Sequence, residues 1–318
     1  MQRPAVIILS CFATLAGAAS AWRNPAGARP APSTPVEITV GGLNRSYEIH
    51  VPRSPAPGRG YPVLIALHGG GGQAESMIRL TKLHDLADAR GFIVVYPNGI
   101  DKHWNDGRTT VKRKVDDVGF IAAMLDAVER DYRVDRGRIY ATGISTGAIM
   151  SNRLACDLSD RIAGIAPVAG TLATDYASAC HPANPVAVLQ ISGDSDPIMP
   201  YAGGAVADFG GRGEGGLVQS APQSSAFWAR LDGCGRAAAT VEFPTVRPGD
   251  STRIAVLRYR DCPAGARVEL WTVKGGGHTW PGGAQYLPAV FIGRASQQVN
   301  ASAAIADFFL SLPPRSSR

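Results

Sequence analysis

The chain has 318 residues, of which 45% are hydrophobic and 18% are charged, a composition that excludes a disordered or fibrous protein. The length allows a large buried core, and the 37 glycines and 23 prolines indicate many turns. The formal net charge is +6, but the basic cluster at 111–117 ends in acids, so no nucleic-acid surface is predicted.

Residues 1–21 have the pattern of an export signal. Arg3 precedes a short apolar run, and Ala19-Ser20-Ala21 fits an A-x-A cleavage site. The run is too short to cross a bilayer, so a retained anchor is the weaker interpretation, and lipid attachment at Cys11 has little support. We predict an exported protein, extracellular or periplasmic, with no membrane association and with 22–35 as a flexible leader.

The segments after the leader alternate between strand and helix patterns. Two alternating runs around Gly41-Gly42 predict a hairpin, and the apolar run that begins at residue 61 predicts a strand buried in the middle of a sheet. Helices are predicted over 76–91, 116–132, 146–158, 224–233 and 301–312, and strands over 92–97, 138–143, 162–170, 185–193 and 268–273. The succession predicts an α/β protein with a mostly parallel sheet and helices on both faces.

The chain shows no repeat and no second composition. We therefore predict one domain over 36–312, followed by a tail over 313–318.

Four cysteines remain after the signal, an even number in an exported chain, which predicts disulfides. Three pairings are possible. Proximity in sequence suggests that Cys156 pairs with Cys180 and that Cys234 pairs with Cys262. No C-x-x-C occurs, so a zinc site is not predicted.

The pentapeptide GISTG places Ser145 between a strand-like run and a helix-like run. A nucleophilic serine at such a turn takes strained backbone angles, and flanking side chains would collide with the neighbouring strand and helix. Gly143 and Gly147 remove those collisions. A glycine-rich turn is the alternative, but the position between strand and helix favours a nucleophile.

A serine nucleophile needs a histidine to take its proton. Of the histidines, only His181 and His278 follow Ser145 in the chain. His278 lies among glycines just after an apolar strand and is the candidate base, whereas a structural or surface role is expected for His181 beside Cys180.

The histidine in turn needs a carboxylate, and Asp194 and Asp196 follow another predicted strand. The turn-forming Pro197 favours Asp196 as this acid. Asp194 could instead cap the turn.

Two further groups of residues are candidates for the site. The backbone N–H groups of Thr146, Gly69 and Gly70 could stabilise an oxyanion, with His68 as a structural partner of their loop. Trp104 and Trp280 are expected to bind an aromatic or sugar group, although packing under a lid is an equal alternative. The glycine-rich loop over 202–216 is expected to form a rim of the site.

The chain carries, in this order over 36–312, the motifs LHGGGG, YPNG, WNDG, DDVGFI, RIYATGISTGAIMSNRLAC, IAPVAGT, DPIMPYAGG and GGGHTWPGG. They resemble the secreted esterase family that groups polyhydroxybutyrate depolymerases with feruloyl and acetylxylan esterases. The resemblance implies an α/β-hydrolase fold, with Ser145 as nucleophile, Asp196 as orienting acid and His278 as base. The chain departs from it at Thr146 and Ser192, where the family often has Asn and His.

We therefore expect a secreted serine esterase that acts through an acyl-enzyme without a metal or organic cofactor. The alternatives are a serine peptidase on the same fold and a binding protein with an inactive triad, against which the intact set of residues argues. Only PPRSSR follows the last predicted helix, so no surface-binding module is expected.

Feruloyl or acetyl esters, as in plant cell walls, or short hydroxyalkanoate esters should then be cleaved faster than solid polyester. The two tryptophans favour a phenolic or sugar ester. The alternative is an extracellular polyhydroxybutyrate depolymerase.

Overall fold

A computed structural model describes residues 33–208, 213–263 and 265–315. The predicted signal peptide and residues 22–32 of the predicted leader lie outside this part of the chain. The first strand begins at Thr34, so the last two residues assigned to the leader belong to the sheet instead.

The main sheet has ten strands in the order β1-β2-β4-β3-β5-β6-β7-β12-β11-β10, and β8 and β9 form a separate pair. The strands are β1 Thr34–Val40, β2 Leu43–His50, β3 Tyr61–Leu67, β4 Ile93–Pro97, β5 Val134–Ile144, β6 Gly164–Val168, β7 Ala187–Gly193, β8 Gly204–Ala205, β9 Leu217–Val218, β10 Val241–Glu242, β11 Arg253–Arg258 and β12 Val268–Lys274. Six neighbouring strands, from β4 to β12, run parallel, which confirms the predicted fold class.

The helices are α1 Ala74–Thr81, α2 Leu83–Arg90, α3 Asp117–Asp131, α4 Thr146–Asp157, α5 Ala221–Leu231, α6 Ala289–Ile292 and α7 Ala301–Leu310. The single helix predicted over 76–91 is two helices, because Lys82 takes a left-handed φ of 51° that ends α1. No glycine or proline marks this break in the sequence.

The centre of the sheet follows from the apolar pattern of β3, all seven residues of which are buried. Val63, Ile65 and Leu67 pack into one apolar cluster, and Leu64 and Ala66 pack into another. Because successive side chains of a strand point to opposite faces, the two clusters cover the two faces of the sheet. The predicted mid-sheet position of β3 is thereby confirmed.

The two ends of the sheet are antiparallel. At one end, β1 and β2 form the predicted hairpin, in which Gly41 and Gly42 have positive φ values of 58° and 77° that suit a two-residue turn. At the other end, β11 pairs antiparallel with β12. The sequence analysis predicted β12 but missed β11. Its six-residue run, RIAVLR, is too short to separate from a loop by periodicity alone.

The structure contains the two disulfides that proximity in sequence suggests, Cys156–Cys180 and Cys234–Cys262. The tail predicted from residue 313 is not free as far as residue 315, the last residue described. The Arg315 N–H donates to the Gly137 carbonyl (3.1 Å), and the guanidinium donates to the Ser159 carbonyl (2.6 Å). Within the described residues, no helix combines the length and hydrophobicity that crossing a membrane requires.

Candidate active site

Ser145 occupies a strained turn between β5, which ends at Ile144, and α4, which begins at Thr146. Its backbone angles are φ 60° and ψ −123°, a conformation that costs a non-glycine residue roughly 1–3 kcal/mol. The Ser145 N–H donates to the Val168 carbonyl on the adjacent strand β6 (3.0 Å). Such strain persists only where neighbouring elements hold the turn, as they do here.

The two flanking glycines are required by close backbone contacts. A Cβ on Gly147 would lie 2.4 Å from the Leu67 carbonyl oxygen, and a Cβ on Gly143 would lie 2.5 Å from the Gly147 carbonyl. Both distances are well inside van der Waals contact. The turn at Ser145 is therefore wedged between β3 and α4 in a way that only glycine at these two positions allows.

Asp196 and His278 form a buried pair. The His278 Nδ1 lies 2.8 Å from Asp196 Oδ2, and both residues are almost completely buried. The other carboxylate oxygen accepts the N–H groups of Ile198 and Met199, each at 2.8 Å. A proton on Nδ1, donated to the carboxylate, leaves His278 Nε2 unprotonated and able to accept a proton.

Asp194 has different hydrogen-bond partners from Asp196. It is exposed, and its Oδ1 accepts the Gly275 N–H (2.6 Å) and the Ser195 hydroxyl (3.1 Å). The bond from Gly275 ties the turn after β7 to the turn after β12. Of the two aspartates, Asp196, which the sequence favoured, is the one that contacts the histidine.

The backbone of His278 is held by a segment outside the sheet. Its N–H donates to the Ile292 carbonyl (2.6 Å), and its own carbonyl accepts the Tyr286 hydroxyl (2.6 Å). The preceding Gly277 N–H donates to the Arg294 carbonyl (2.9 Å). Burial raises the pKa of Tyr286, so its phenol stays a neutral donor.

The topology brings Ser145, Asp196 and His278 to one edge of the sheet. They follow β5, β7 and β12, and these strands are parallel and separated only by β6. Carboxyl ends of parallel strands meet at one edge, the usual ligand-binding edge of open α/β sheets. Among the hydrogen bonds of the described residues, none joins the Ser145 hydroxyl to His278, so that contact belongs to the proposal below.

The loop over 68–72 lies against the serine turn. A Cβ on Gly69 would lie 3.2 Å from the Ser145 Cβ, and a Cβ on Gly70 would lie 3.6 Å from the Thr146 side chain. Thr146 is the first residue of α4, where backbone N–H groups have no partner within the helix. The three residues expected to donate to an oxyanion are therefore neighbours.

His68 braces this loop. Its Nδ1–H donates to the Gly69 carbonyl (2.8 Å), and its Nε2 accepts the Gly99 N–H (3.0 Å). Burial lowers the pKa of His68 to about 4, so the ring stays neutral and keeps both bonds at neutral pH. The other candidate histidine set aside from the sequence, His181, is exposed.

Trp104 and Trp280, which the sequence analysis expected either to bind substrate or to pack under a lid, are buried in this structure. Each side chain is only 1% exposed. The indole N–H of Trp104 donates to the His68 carbonyl (2.8 Å), and that of Trp280 donates to the Ser302 hydroxyl (3.0 Å). Both rings are packed in the core, so neither offers a face to a ligand.

Two groups of residues near the site escaped the sequence analysis. Val290 and Phe291 are 82% and 54% exposed on α6, next to the Ile292 carbonyl that holds His278. His103 and Glu214 lie beside the glycine loop, as described below. A histidine that precedes the serine in the chain, and a glutamate in a glycine-rich loop, carry no local pattern that would single them out.

A groove of about 520 Å³ is separate from this site. Arg267, Glu269 and Trp271, from the start of β12, line it together with α7, whereas His278 follows the end of β12. In the ranges that the structure describes, no group of three or more His, Cys, Asp or Glu residues could hold a metal ion.

Comparison with known proteins identifies the family. The model of the family described as "Esterase PHB depolymerase" matches residues 45–210. "Putative esterase NocK" of Nocardia uniformis subsp. tsuyamanensis is 34% identical over 96% of this chain and 96% of its own length. Feruloyl esterase B of Piromyces equi is 31% identical over 68% of this chain and 39% of its own length.

Among solved structures, the acetyl xylan esterase from Aspergillus awamori has the same fold. Its TM-score is 0.59 at 15% identity, and the match covers 87% of this chain and 98% of that one. The α/β-hydrolase architecture is thereby confirmed. With the family match, these findings establish that the chain is a carboxylic ester hydrolase that belongs to the PHB depolymerase esterase family.

Proposed function

We propose that this chain is a serine esterase in which Ser145 is the nucleophile, His278 the general base and Asp196 the acid that orients the histidine. One observation carries the proposal: a strained serine turn and a buried Asp–His pair follow parallel strands at the same edge of the sheet. This is the arrangement that a serine hydrolase needs.

The reaction follows from these groups. The Ser145 oxygen attacks the ester carbonyl carbon while its proton passes to His278 Nε2, and the carbonyl oxygen becomes an oxyanion. The N–H of Thr146 and those of Gly69 and Gly70 supply donors for that charge. When the tetrahedral intermediate collapses, the protonated His278 gives its proton to the departing alcohol, which leaves an acyl group on Ser145.

Water completes the cycle. His278 takes a proton from the water molecule, the hydroxide attacks the acyl carbon, and the second intermediate releases the carboxylic acid as Ser145 recovers its proton. Every step uses side chains and backbone of this chain, so the proposed mechanism requires no metal or organic cofactor.

The proposal extends to location and domain organisation. Two disulfides are typical of proteins in oxidising compartments, so we propose that the protein works outside the cytoplasm after removal of residues 1–21. We also propose that one catalytic domain spans 36–312, with Thr34 and Pro35 added to its first strand. No nucleic-acid or membrane partner is proposed.

The proposed substrates are feruloyl or acetyl esters and short hydroxyalkanoate esters. Support comes from relatives whose names are feruloyl esterase and acetyl xylan esterase. The burial of Trp104 and Trp280 removes the stacking surface that would have favoured a phenolic ring. The second candidate, a polyester depolymerase, is favoured by the family description and by the exposed pair Val290 and Phe291.

Substitution of the nucleophile tests the mechanism. Ser145→Ala should abolish hydrolysis of p-nitrophenyl butyrate while the near-UV circular dichroism spectrum is retained, because a covalent mechanism has no route around its nucleophile. An organophosphonate should label the wild-type protein once, at Ser145, as located by peptide mass spectrometry. Stoichiometric labelling at another residue would contradict the assignment.

Two comparisons test the substrate. A peptide anilide should be cleaved far more slowly than p-nitrophenyl acetate if the enzyme is an esterase and not a peptidase. Release of ferulate from methyl ferulate, measured beside the clearing of a polyhydroxybutyrate film at equal enzyme, separates the two ester classes. Rapid clearing without ferulate release would favour the depolymerase.

A further inference from the structure

Three buried polar atoms beside the proposed oxyanion donors have no hydrogen-bond partner in the described residues. They are His103 Nδ1, Thr146 Oγ1 and Glu214 Oε2. Unsatisfied buried polar atoms are few in native proteins, and each costs about 1–3 kcal/mol. Three of them in one place beside a catalytic serine indicate a site that a ligand group completes.

The position of His103 relative to the serine turn is set by the backbone. The Gly71 N–H donates to the Lys102 carbonyl (2.9 Å), which holds the loop after β4 against the glycine loop. A Cβ on Gly70 would lie 3.6 Å from Thr146 Oγ1 and 3.9 Å from His103 Cε1. Thr146 and His103 therefore flank the same glycine, which is an expected oxyanion donor.

Glu214 completes the group. Its Oε2 lies 4.0 Å from His103 Nδ1 and 3.9 Å from Arg108 Nη2, so both gaps exceed a direct hydrogen bond. The Arg108 side chain is 1% exposed and is held by the Asp106 carboxylate at 2.8 Å. An oxygen atom at about 2.8 Å from both His103 and Glu214 fits a gap of this width.

The charges around the gap select the kind of group that can enter it. A carboxylate would be repelled by Glu214, which is only 11% exposed and so poorly screened. A cation would face the guanidinium of Arg108. A neutral hydroxyl avoids both penalties, because one atom donates to the Glu214 carboxylate and accepts from the His103 N–H or from Arg108.

We propose that the polar patch formed by His103, Arg108, Thr146 and Glu214 is a specificity subsite that binds a hydroxyl group carried by the ester substrate. The inference rests on the proposed function, because it places the hydroxyl next to the acyl group on Ser145. The hydroxyl can belong to a hydroxylated aliphatic acid or to a phenolic acid. Both present the same chemistry to the patch.

Two matched pairs of esters distinguish these sources. One pair is p-nitrophenyl 3-hydroxybutyrate and p-nitrophenyl butyrate, and the other is methyl ferulate and methyl 3,4-dimethoxycinnamate, in which the phenol is methylated. The wild-type enzyme should prefer the hydroxylated member of at least one pair by about 10- to 100-fold in kcat/KM, as for a hydrogen bond to a charged group. The pair that shows the preference identifies the source.

Variants test whether the patch causes the preference. Glu214→Gln and His103→Phe should each reduce the ratio of the two kcat/KM values by about tenfold or more. The double variant should reduce it little further, because both residues hold the same hydroxyl. Glu37→Gln, the same change at an exposed position on β1, is the matched control and should keep the wild-type ratio.

Labelling of Ser145 by an organophosphonate separates the two levels of the proposal. Absence of a wild-type preference in both pairs, with Ser145 labelled, would overturn the subsite alone, as would variants that slow both members of a pair equally. Failure to label Ser145 would overturn the proposed function and this inference with it. Labelling of the variants to the wild-type stoichiometry shows that their serine turn is intact.

Discussion

Ser145 and His278 are positioned by different kinds of contact. The serine turn is wedged between β3 and α4, where the backbone of Leu67 leaves no room for a side chain at Gly147. The loop that carries His278, here called the histidine loop, is instead held by hydrogen bonds with the segment over 286–294, which lies outside the sheet. Ser145 is therefore packed against the interior of the sheet, whereas His278 is held against a segment outside the sheet.

The difference explains why the two regions carry different sequence signals. The glycines that the crowded backbone requires, Gly143 and Gly147, each lie two residues from Ser145, so the serine turn is visible as a pentapeptide. The buried partner of His278 is Asp196, 82 residues away, so no short motif contains both. The following changes probe the two regions, from the largest expected effect to the smallest.

Among these changes, loss of the Asp196 carboxylate should lower kcat the most. Asp196→Asn should lower kcat by about 10⁴-fold, because an amide can hold His278 in the wrong tautomer. Steady-state hydrolysis of p-nitrophenyl butyrate measures this. Asp194→Asn is the matched control, with a change of only a few fold, since Asp194 is exposed and bonds to the Gly275 turn. The reverse ranking would transfer the orienting role to Asp194.

An added methyl group compares the two regions directly. A Cβ on Gly147 would lie 2.4 Å from the Leu67 carbonyl oxygen, and one on Gly277 would lie 2.1 Å from the Ile292 carbonyl oxygen. Distance alone ranks Gly277→Ala as the worse change. We expect Gly147→Ala to cost more, about 3 kcal/mol of unfolding free energy against about 1 kcal/mol, because β3 cannot move and the loop can.

Urea denaturation of both variants gives the comparison, and Gly249→Ala is the control. Apart from its two chain neighbours, no atom of the described residues lies within 4 Å of the Cβ position of Gly249, and its φ is not in the left-handed region. The stability of this variant should therefore stay near the wild-type value. An equal or larger loss for Gly277→Ala would show that the histidine loop is as rigid as the sheet.

His68, which is hydrogen-bonded within the glycine loop, should make the free energy of unfolding depend on pH. The pKa of His68 in the folded protein is about 4, below the ordinary value of 6.5, because burial disfavours its charged form. Protons therefore bind the unfolded chain more tightly. The contribution of His68 to stability is complete above pH 6.5 and is lost as the pH falls toward 4, by up to about 3 kcal/mol.

Urea denaturation at pH 7 and pH 4 measures this loss. His68→Gln should be less stable than the wild type at pH 7, because glutamine cannot reproduce both hydrogen bonds of the imidazole ring. Its stability should fall less between the two pH values, because glutamine does not bind a proton. An identical fall in both proteins would assign the pH dependence to other groups.

The smallest expected effect is at the edge of the histidine loop. Tyr286→Phe removes the hydroxyl that donates to the His278 carbonyl, which should cost about 1 kcal/mol of unfolding free energy and lower kcat a few fold. The sharpest readout is kcat and KM measured separately, since a displaced base slows the chemical step more than it weakens substrate binding. A change confined to KM would place Tyr286 in substrate contact instead.

The sequence and the structure agree where local pattern decides the outcome. Periodicity located the parallel strands and most of the helices, and the Gly41-Gly42 turn marked the hairpin. The pattern failed at Lys82, where a lysine and not a glycine takes the left-handed conformation that splits a helix. It also failed at β11, whose pairing with β12 is a long-range contact.

By itself, the sequence determined the fold class and the serine turn, because both depend on local spacing along the chain, and it suggested the pairing of the cysteines from their proximity. Tertiary structure alone decided the burial of Trp104 and Trp280, since a ring in a loop can pack inward or face solvent with the same local sequence. It also brought Asp196, which the sequence already favoured over Asp194, into contact with His278, and it gathered His103 and Glu214 beside Thr146. These outcomes depend on which strand ends and loops meet in space, and no local pattern records that.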